Sequence, residues 1–371
     1  MILGMMVRLF PTKEQEQKLW KSVGTSRFVY NWTLARQEEN HKNGGKFISD
    51  NVLRKELTKL KQREFYWLNE VSGEVAKQSV KDACEAYKKF FNKLANKPKF
   101  KSRKKSKPTF YARYDRLNVQ ENSVSIEKIG RVKIVKNAIP VDRNYTNPRV
   151  SFDGKYWYIS VGIEKIKPTV DLSGESVGID VGIKDLAICS NEMIFKNINK
   201  TRVVKKLEKR LHRLQRKVSN KYTKNKEGRK FVKTRNILKL EKLIRLIHRK
   251  LSNIRNNHIH QATTKIVKTK PSRVVMETLN IKGMMRNKHL SKAIAQQCLY
   301  EFKRQMKYKC DFNGIKFVEA DRFYPSSKTC SECGHIKAKL SLSERSYNCE
   351  ECGCIIDRDI NAAVNLSRYS A

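Results

Sequence analysis

Four cysteines, Cys330, Cys333, Cys349 and Cys352, stand as two C-x2-C pairs separated by fifteen residues, and nothing else in the chain narrows a local fold so far. A C-x2-C pair turns two thiolates toward one side of a tight bend, and Gly334 and Gly353, directly after the pairs, permit that bend. Two such pairs close a tetrahedron of sulfur around one Zn2+. With sulfur in all four positions no place remains for water, so the zinc is expected to be structural. Cys354 is then a spare thiol and His335 a surface neighbour. The remaining cysteines, Cys84, Cys189, Cys298 and Cys310, are scattered, which suits a reducing compartment better than a disulfide framework.

Charge sets the second limit. The 371 residues carry 80 Lys plus Arg against 36 Asp plus Glu, a formal net charge of +44. Self-repulsion of that size opposes compaction unless a polyanion neutralises it, and nucleic acid is the polyanion to expect. A hydrophobic share of 39% is enough for two or three cored domains. The opening MILGMMVRLFPTKEQ lacks the apolar run of a signal peptide, and no uncharged stretch approaches a membrane span. The expected location is the cytoplasm, at the nucleoid of a prokaryotic cell, with no membrane partner.

Along the chain, a short strand in MVRLF stops at Pro11, and Thr12 caps a helix with Glu14 and Glu16 in its first turn. Helical spacing continues through RFVYNWTLARQEEN, VLRKELTKLKQ and SGEVAKQSVKDACEAYKKFFNKL, implying three or four helices. Phe28, Tyr30 and Trp32 could stack on bases, but Phe28 and Trp32 are one turn apart and read better as core. Residues 88–107 hold ten basic residues and no acidic one, a candidate phosphate track. From 109 to about 167 alternating segments imply a β module, with Asp153-Gly154 as a hairpin turn.

VGIDVGIKDLAIC reads as two consecutive strands. Val203, Leu207, Leu211, Leu214 and Val218 form one apolar stripe, and Ile237, Leu240, Ile244, Ile247, Leu251 and Ile254 a second, predicting a helical hairpin. Residues 201–250 carry 20 Lys plus Arg against three Glu, so the outer faces of that hairpin are strongly positive. A strand at 273–276, one helix over about 291–308, a strand near 315–320, the cysteine segment and a closing helix from about Ile360 complete the order.

Acid is scarce against this background, and three positions need a reason. Asp180 lies inside an otherwise apolar strand, Glu277 ends a Val-Val-Met strand, and Asp359 stands where it can open a helix continued by Ala362, Ala363 and Val364. One such carboxylate is more often solvated or a cap. Three at element ends, each costly to bury ionised unless paired or metal-bound, point to a shared cation. Asp185 and Asp357 are near competitors.

The segments VRLFPTKEQEQKL, SRFVYNW, GIDVGIKDLAI and METLNIKGM, with DRFYPSSKTCSECGH running on to NCEECGCIIDRDINAAVNL, resemble the TnpB family. These are insertion-sequence-encoded proteins related to the type V CRISPR nucleases, and the resemblance covers nearly the full length. It implies an α+β multidomain fold. A small β-barrel wedge domain at 1–10 and 109–170 would be interrupted by a helical recognition lobe at 11–108. A RuvC-like nuclease domain of RNase H-like α/β fold would follow at 171–371, with a zinc-ribbon insert at 326–356.

The same resemblance implies that Asp180, Glu277 and Asp359 form a catalytic triad holding Mg2+, as two ions, one activating water and one stabilising the leaving 3′ oxygen. Asp359 is chosen over Asp357 because related nucleases place this acid two residues before an Asn, here Asn361. The implied activity is RNA-guided cleavage of double-stranded DNA beside a short flanking motif, with guide RNA and target DNA as partners and a monomer on its RNA as the assembly. Some relatives have lost the acids and act as RNA-guided repressors, whereas all three positions are filled here. A repressor without catalysis and a DNA transposase using the same acids are the alternative readings.

Overall fold

Pro11 has no N–H to extend a ladder, and the first strand, β1 (Ile2–Phe10), ends one residue before it. Thr12 then starts α1 (Lys13–Lys42) with a capping box, Gln15 N–H to Thr12 Oγ1 at 3.2 Å and Thr12 N–H to Gln15 Oε1 at 3.0 Å. The computed structural model describes residues 1–228, 230–341 and 344–370. Residue 229 of the basic hairpin, 342 and 343 of the cysteine segment, and 371 lie outside the described residues. The chain divides into two units, Met1–Lys165 and Ile166–Ala371. Among the described residues no helix is long and apolar enough to cross a membrane.

In the first unit α1, α2 (Asp50–Arg63) and α3 (Gly73–Phe91) pack around Val29, Leu53, Leu57, Leu68, Ala76 and Val80. Phe28 and Trp32 pack against this cluster and Tyr30 is buried beside it, so these aromatics are core. The strands are β2 (Thr109–Tyr111), β3 (Asn118–Gln120), β4 (Ser123–Ile126), β5 (Gly130–Ile134), β6 (Tyr145–Phe152) and β7 (Trp157–Glu164). With β1 they make a seven-stranded antiparallel sheet in the order β2-β6-β7-β1-β5-β4-β3, which places the first strand of the chain between β7 and β5. Gly154 turns the β6–β7 hairpin at φ +96°, and the Asp153 carboxylate accepts from the N–H groups of Lys155 and Tyr156. The basic run after α3 is mostly exposed but anchored near its middle. Asn31 bonds both backbone groups of Lys101, at 2.7 and 2.9 Å, and the Lys101 ammonium sits 3.6 Å from the Tyr30 ring centre.

The second unit opens with β8 (Ser173–Val181), β9 (Asp185–Cys189) and β10 (Ile194–Lys196). The helical hairpin follows as α4 (Arg202–Lys224) and α5 (Arg235–Lys268), with β11 (Lys226–Glu227) and β12 (Lys230–Phe231) at its tip. Next come β13 (Pro271–Glu277), α6 (Ile281–Met284), α7 (Ser291–Gln297), α8 (Leu299–Phe312) and β14 (Lys316–Ala320). The chain closes with β15 (Ser346–Asn348), β16 (Ile355–Asp357) and α9 (Arg358–Arg368). The main sheet runs β10-β9-β8-β13-β14, with β8, β13 and β14 mutually parallel, β9 antiparallel to β8, and β10 antiparallel to β9.

Two local expectations change. The apolar stripe of α4 enters the hairpin core through Val204, while Val203 is exposed. The single helix expected over 291–308 is two, because Cys298 takes left-handed backbone (φ 55°, ψ 40°). That break accompanies a buried Gln297, whose amide donates to Gly182 O at 2.8 Å.

The two-residue period of the strands sorts the sheet into unlike faces. Val177 and Ile179 of β8 and Val274 and Met276 of β13 join Ile259, Ile266, Phe302 and Met306 from α5 and α8 in one core. The alternate residues turn to the other face, where Val275 packs with Leu366 of α9. On that face α9 lies directly over β8, because Gly178 has no side chain to keep it away. A Cβ at Gly178 would overlap Ala363 O and Ser367 N and would lie 2.9 Å from Leu366 C. We expect Gly178→Ala to cost about 3 kcal/mol by overpacking against unyielding backbone, read as a lowered denaturation midpoint. An unchanged midpoint would show that α9 is free to move off the sheet.

Candidate active site and metal centres

Asp180 and Glu277 reach each other because of register. Gly178 pairs with Val275 and Ile179 with Met276 in the parallel β8–β13 ladder, so the next step brings the two acids side by side on the α9 face. The Glu277 carboxyl acts on that of Asp180, and the charge of Asp359, in the first turn of α9, also reaches it. The segments that follow the acids are tied down as well. Gln297 and Asn197 hold the turn after Asp180 through Gly182 O and Ile183 O, the latter at 2.7 Å, and Thr278 Oγ1 donates to Ala320 O at 2.7 Å beyond Glu277.

All three acids keep part of their surface open to solvent. Burial, then the hydrogen bond and charge of Glu277, then the charge of Asp359, hold the Asp180 carboxyl well above the usual carboxylate range, with Arg358 opposing. Among the described residues neither Asp180 nor Glu277 has an ion-pair partner, whereas Asp359 Oδ1 takes Arg358 Nη2 at 3.4 Å. The three carboxylates do not close as a set to the 4.8 Å spacing that the cysteine sulfurs reach. Like charges held by three separate elements with oxygen-only donors suit a hard divalent cation, which would remove their repulsion.

The neighbouring acids are engaged elsewhere. The Asp357 side chain caps α9, accepting from Asp359 N–H at 2.9 Å and Ile360 N–H at 3.3 Å, so its oxygen completes a helix terminus. Asp185 is buried and meets Lys196 Nζ at 3.6 Å.

The four cysteine sulfurs lie within 4.8 Å of one another, with Cys330–Cys352 at 3.7 Å and Cys333–Cys349 at 3.5 Å. Zinc–sulfur bonds of about 2.3 Å require a tetrahedral edge of about 3.8 Å, so the group could hold one zinc ion. Each knuckle is a tight turn, with Gly334 N–H to Cys330 O at 3.0 Å and Gly353 N–H to Cys349 O at 3.2 Å, and both glycines at positive φ. The backbone N–H of Cys352 draws the Cys349 thiol down to about 6, preparing a first thiolate. Cys352 is up at about 12 despite a backbone bond from Cys354, because desolvation and the neighbouring sulfurs favour its proton. Cys354 lies outside the group of four, and the His335 carbonyl accepts from Cys330 N–H at 2.8 Å while its ring meets Glu351 Oε1 at 3.8 Å.

Sequence reasoning passed over the side chains that join this module to α9. Asn361 and Asn365, both buried, bond Thr329 O at 2.7 and 2.6 Å, and Asn361 Oδ1 accepts from Ser331 N–H at 2.9 Å. The signal was present as two amides four apart on one helix face, beside alanines on the next.

The raised Asp180 carboxyl has a consequence for stability. A folded-state pKa above the unfolded value gives stability that is complete at low pH and lost as pH rises through the folded value. Asp180→Asn stays neutral and keeps a donor for Glu277. In metal-free protein we expect its melting temperature to exceed that of the parent by a margin that grows from about pH 4 to neutrality. A margin independent of pH would contradict the charge conflict.

Three sequence-family models match the chain: one described as a probable transposase at residues 158–288, one as a Cas12f1-like TNB domain at 300–366, and one as a helix-turn-helix domain at 1–46. Most of residues 1–46 form β1 and the unbroken α1, so that last description does not fit the local structure. In fold the chain is similar to Cas12f1 in a Cas12f1–sgRNA–target DNA complex, with a TM-score of 0.60 and 17% identity over 95% of this chain and 83% of that one. A protein of Streptomyces pristinaespiralis, provisionally named an RNA-guided DNA endonuclease, is 30% identical over 97% of this chain and 87% of its own length. InsQ of Escherichia coli, which bears the same provisional name, is 31% identical over 97% of this chain and 90% of its own length. On that extent of likeness the chain belongs to the TnpB/IS605 family.

Proposed function

We propose that the protein is an RNA-guided DNA endonuclease of a transposable element, cutting double-stranded DNA by metal-assisted phosphodiester hydrolysis, with guide RNA and target DNA as its partners. The observation that carries this reading is the Asp180–Glu277 carboxyl pair at the ends of adjacent parallel strands, with Asp359 in electrostatic reach, in a chain of net charge +44. The names of the two bacterial relatives and the Cas12f1-like fold support it.

In this reading Asp180, Glu277 and Asp359 hold Mg2+, as two ions. Divalent metal supplies an ionised water at neutral pH and neutralises charge on the departing oxygen. The chain itself fixes two acids on strands and one on a helix, so ligand geometry is set by rigid elements. Asp357 keeps α9 capped and leaves Asp359 free to turn from Arg358. The four cysteines hold a structural zinc. We assign residues 1–10 and 109–170 to a wedge β-barrel, 11–108 to a helical recognition lobe, and 171–371 to a RuvC-like, RNase H-fold nuclease with a zinc-ribbon insert at 326–356. The setting is cytoplasmic.

Purification with co-expressed RNA, sequencing of that RNA, and addition of matching duplex DNA with Mg2+ tests the whole reading. Asp180→Ala and Glu277→Ala are expected to lower cleavage by at least about a thousandfold with RNA binding intact; full-rate cutting by either would refute the assignment.

The basic segments at 88–107 and 201–250 are assigned to phosphates of RNA or heteroduplex. Charge-neutral versions of both should weaken guide binding and flatten the dependence of log affinity on log salt. An unchanged slope would remove these segments from the interface.

A further inference from the structure

Asp359 is the one proposed acid that a helix carries, and α9 is held from two sides. On one side its backbone rests on Gly178 of β8, and Arg273 Nη2 of β13 bonds Ser367 O at 2.8 Å. On the other side lies the cysteine module. The strand β16 runs into α9 without a linker, and its last residue, Asp357, is the helix cap.

Asn365 Nδ2 donates to Ser326 O at 2.8 Å and Arg358 N–H to Arg345 O at 2.9 Å, and the densest set of lateral contacts falls on the first cysteine knuckle. Thr329 precedes Cys330, and its carbonyl accepts from both Asn361 Nδ2 and Asn365 Nδ2. Ser331 lies between Cys330 and Cys333; its N–H goes to Asn361 Oδ1 at 2.9 Å, and its carbonyl accepts from Arg368 Nη1. Asn361 is fully buried, and Asn365 and Ser331 nearly so. A shift of the knuckle would therefore strand the buried Asn361 amide and the Ser331 N–H and take one of two acceptors from Asn365, which is costly enough to make knuckle and helix move as one. Asn361 is two residues from Asp359, so rotation of α9 about its axis carries Asp359 with it.

We propose that Asn361 and Asn365 are positioning residues that couple the four-cysteine site to Asp359, so that zinc at the sulfurs and divalent metal at the acids strengthen each other's binding. The inference rests on the reading of Asp180, Glu277 and Asp359 as a metal site. Zinc closes the knuckle that orients α9, and a cation drawing Asp359 from Arg358 toward Asp180 holds α9 in the orientation that the closed knuckle requires. Linkage makes the effect reciprocal: whatever factor zinc adds to metal affinity at the acids, metal at the acids must add to zinc affinity.

The full-length, zinc-loaded chain is tested without nucleic acid. Mn2+ binding is followed by loss of the free-ion electron paramagnetic resonance signal, and zinc affinity by competition with a chromophoric chelator at zero and saturating Mg2+. Mg2+ is expected to tighten zinc by about tenfold in the parent and to have no such effect in Asp180→Asn. Asn361→Ala and Asn365→Ala should retain one zinc per chain yet lose most of the Mg2+ effect. In a separate assay with guide RNA and matching duplex DNA, higher Mg2+ should restore part of their cleavage, as for a weakened site and not an unfolded one.

If Mn2+ binds and Asp180→Asn abolishes that binding, but zinc affinity of the parent ignores Mg2+, the coupling is overturned while the active-site reading stands. Persistence of the Mg2+ effect in Asp180→Asn also overturns it. If the parent binds no Mn2+ at the acids, the active-site reading itself fails and the coupling with it. The parent measurement needs no substitution, so the coupling stands or falls on it even where an asparagine variant does not fold.

Discussion

At Gly178 the backbone of α9 rests on β8 with no side chain between them, and that contact brings Asp359 over the face on which strand register has set Asp180 beside Glu277. A residue with a Cβ would hold the helix away, and Asp359 would leave the face that Asp180 and Glu277 share. The contact has force only because the opposite face is filled. Val177 and Ile179, on either side of Gly178, are locked into the core against α5 and α8, so β8 cannot retreat from an intruding atom. A tightly packed apolar face thus sets the geometry of the polar one.

Electrostatics gives the same face its chemical character. Two other part-buried acids are neutralised by close cations: Asp82 takes both Arg149 amines at 2.8 Å, and Glu208 takes Arg255 at 3.0 Å. Asp180 instead faces Glu277, and its own burial first, with Glu277 and Asp359 adding to it, raises its carboxyl and makes the metal-free fold work against itself. Stability lost at such a position is the usual sign of a site arranged for a ligand. The cysteine module contributes rigidity in a different way, through buried amides that read the backbone of a knuckle and not its sulfurs.

Much of the secondary structure could be read locally. Pro11 and Thr12 mark a strand end and a helix start, Asp153-Gly154 a hairpin, and the spacing of Ile237, Ile244 and Ile247 a helix, because each depends on neighbours within a turn or two. Reading failed where a distant partner overruled the local preference. Nothing near Cys298 announces left-handed backbone; the break accompanies the buried Gln297 amide at the turn after Asp180. Val204 displaced Val203 from the hairpin core because facing residues of α5, and not spacing alone, choose which apolar side chain is covered.

Residue types and their spacing by themselves determined the donor chemistry: four sulfurs at knuckle spacing, three scarce carboxylates at element ends, and a surplus of cations that calls for a polyanion. Those properties belong to side chains and survive in any conformation. Only the tertiary structure decided that Asp180 and Glu277 stand side by side, that Asp357 is consumed as a cap while Asp359 is not, and that Asn361 and Asn365 tie a helix to a knuckle. Each of these depends on strand register or on which backbone lies against which, and such distances are set by packing between residues far apart in the chain.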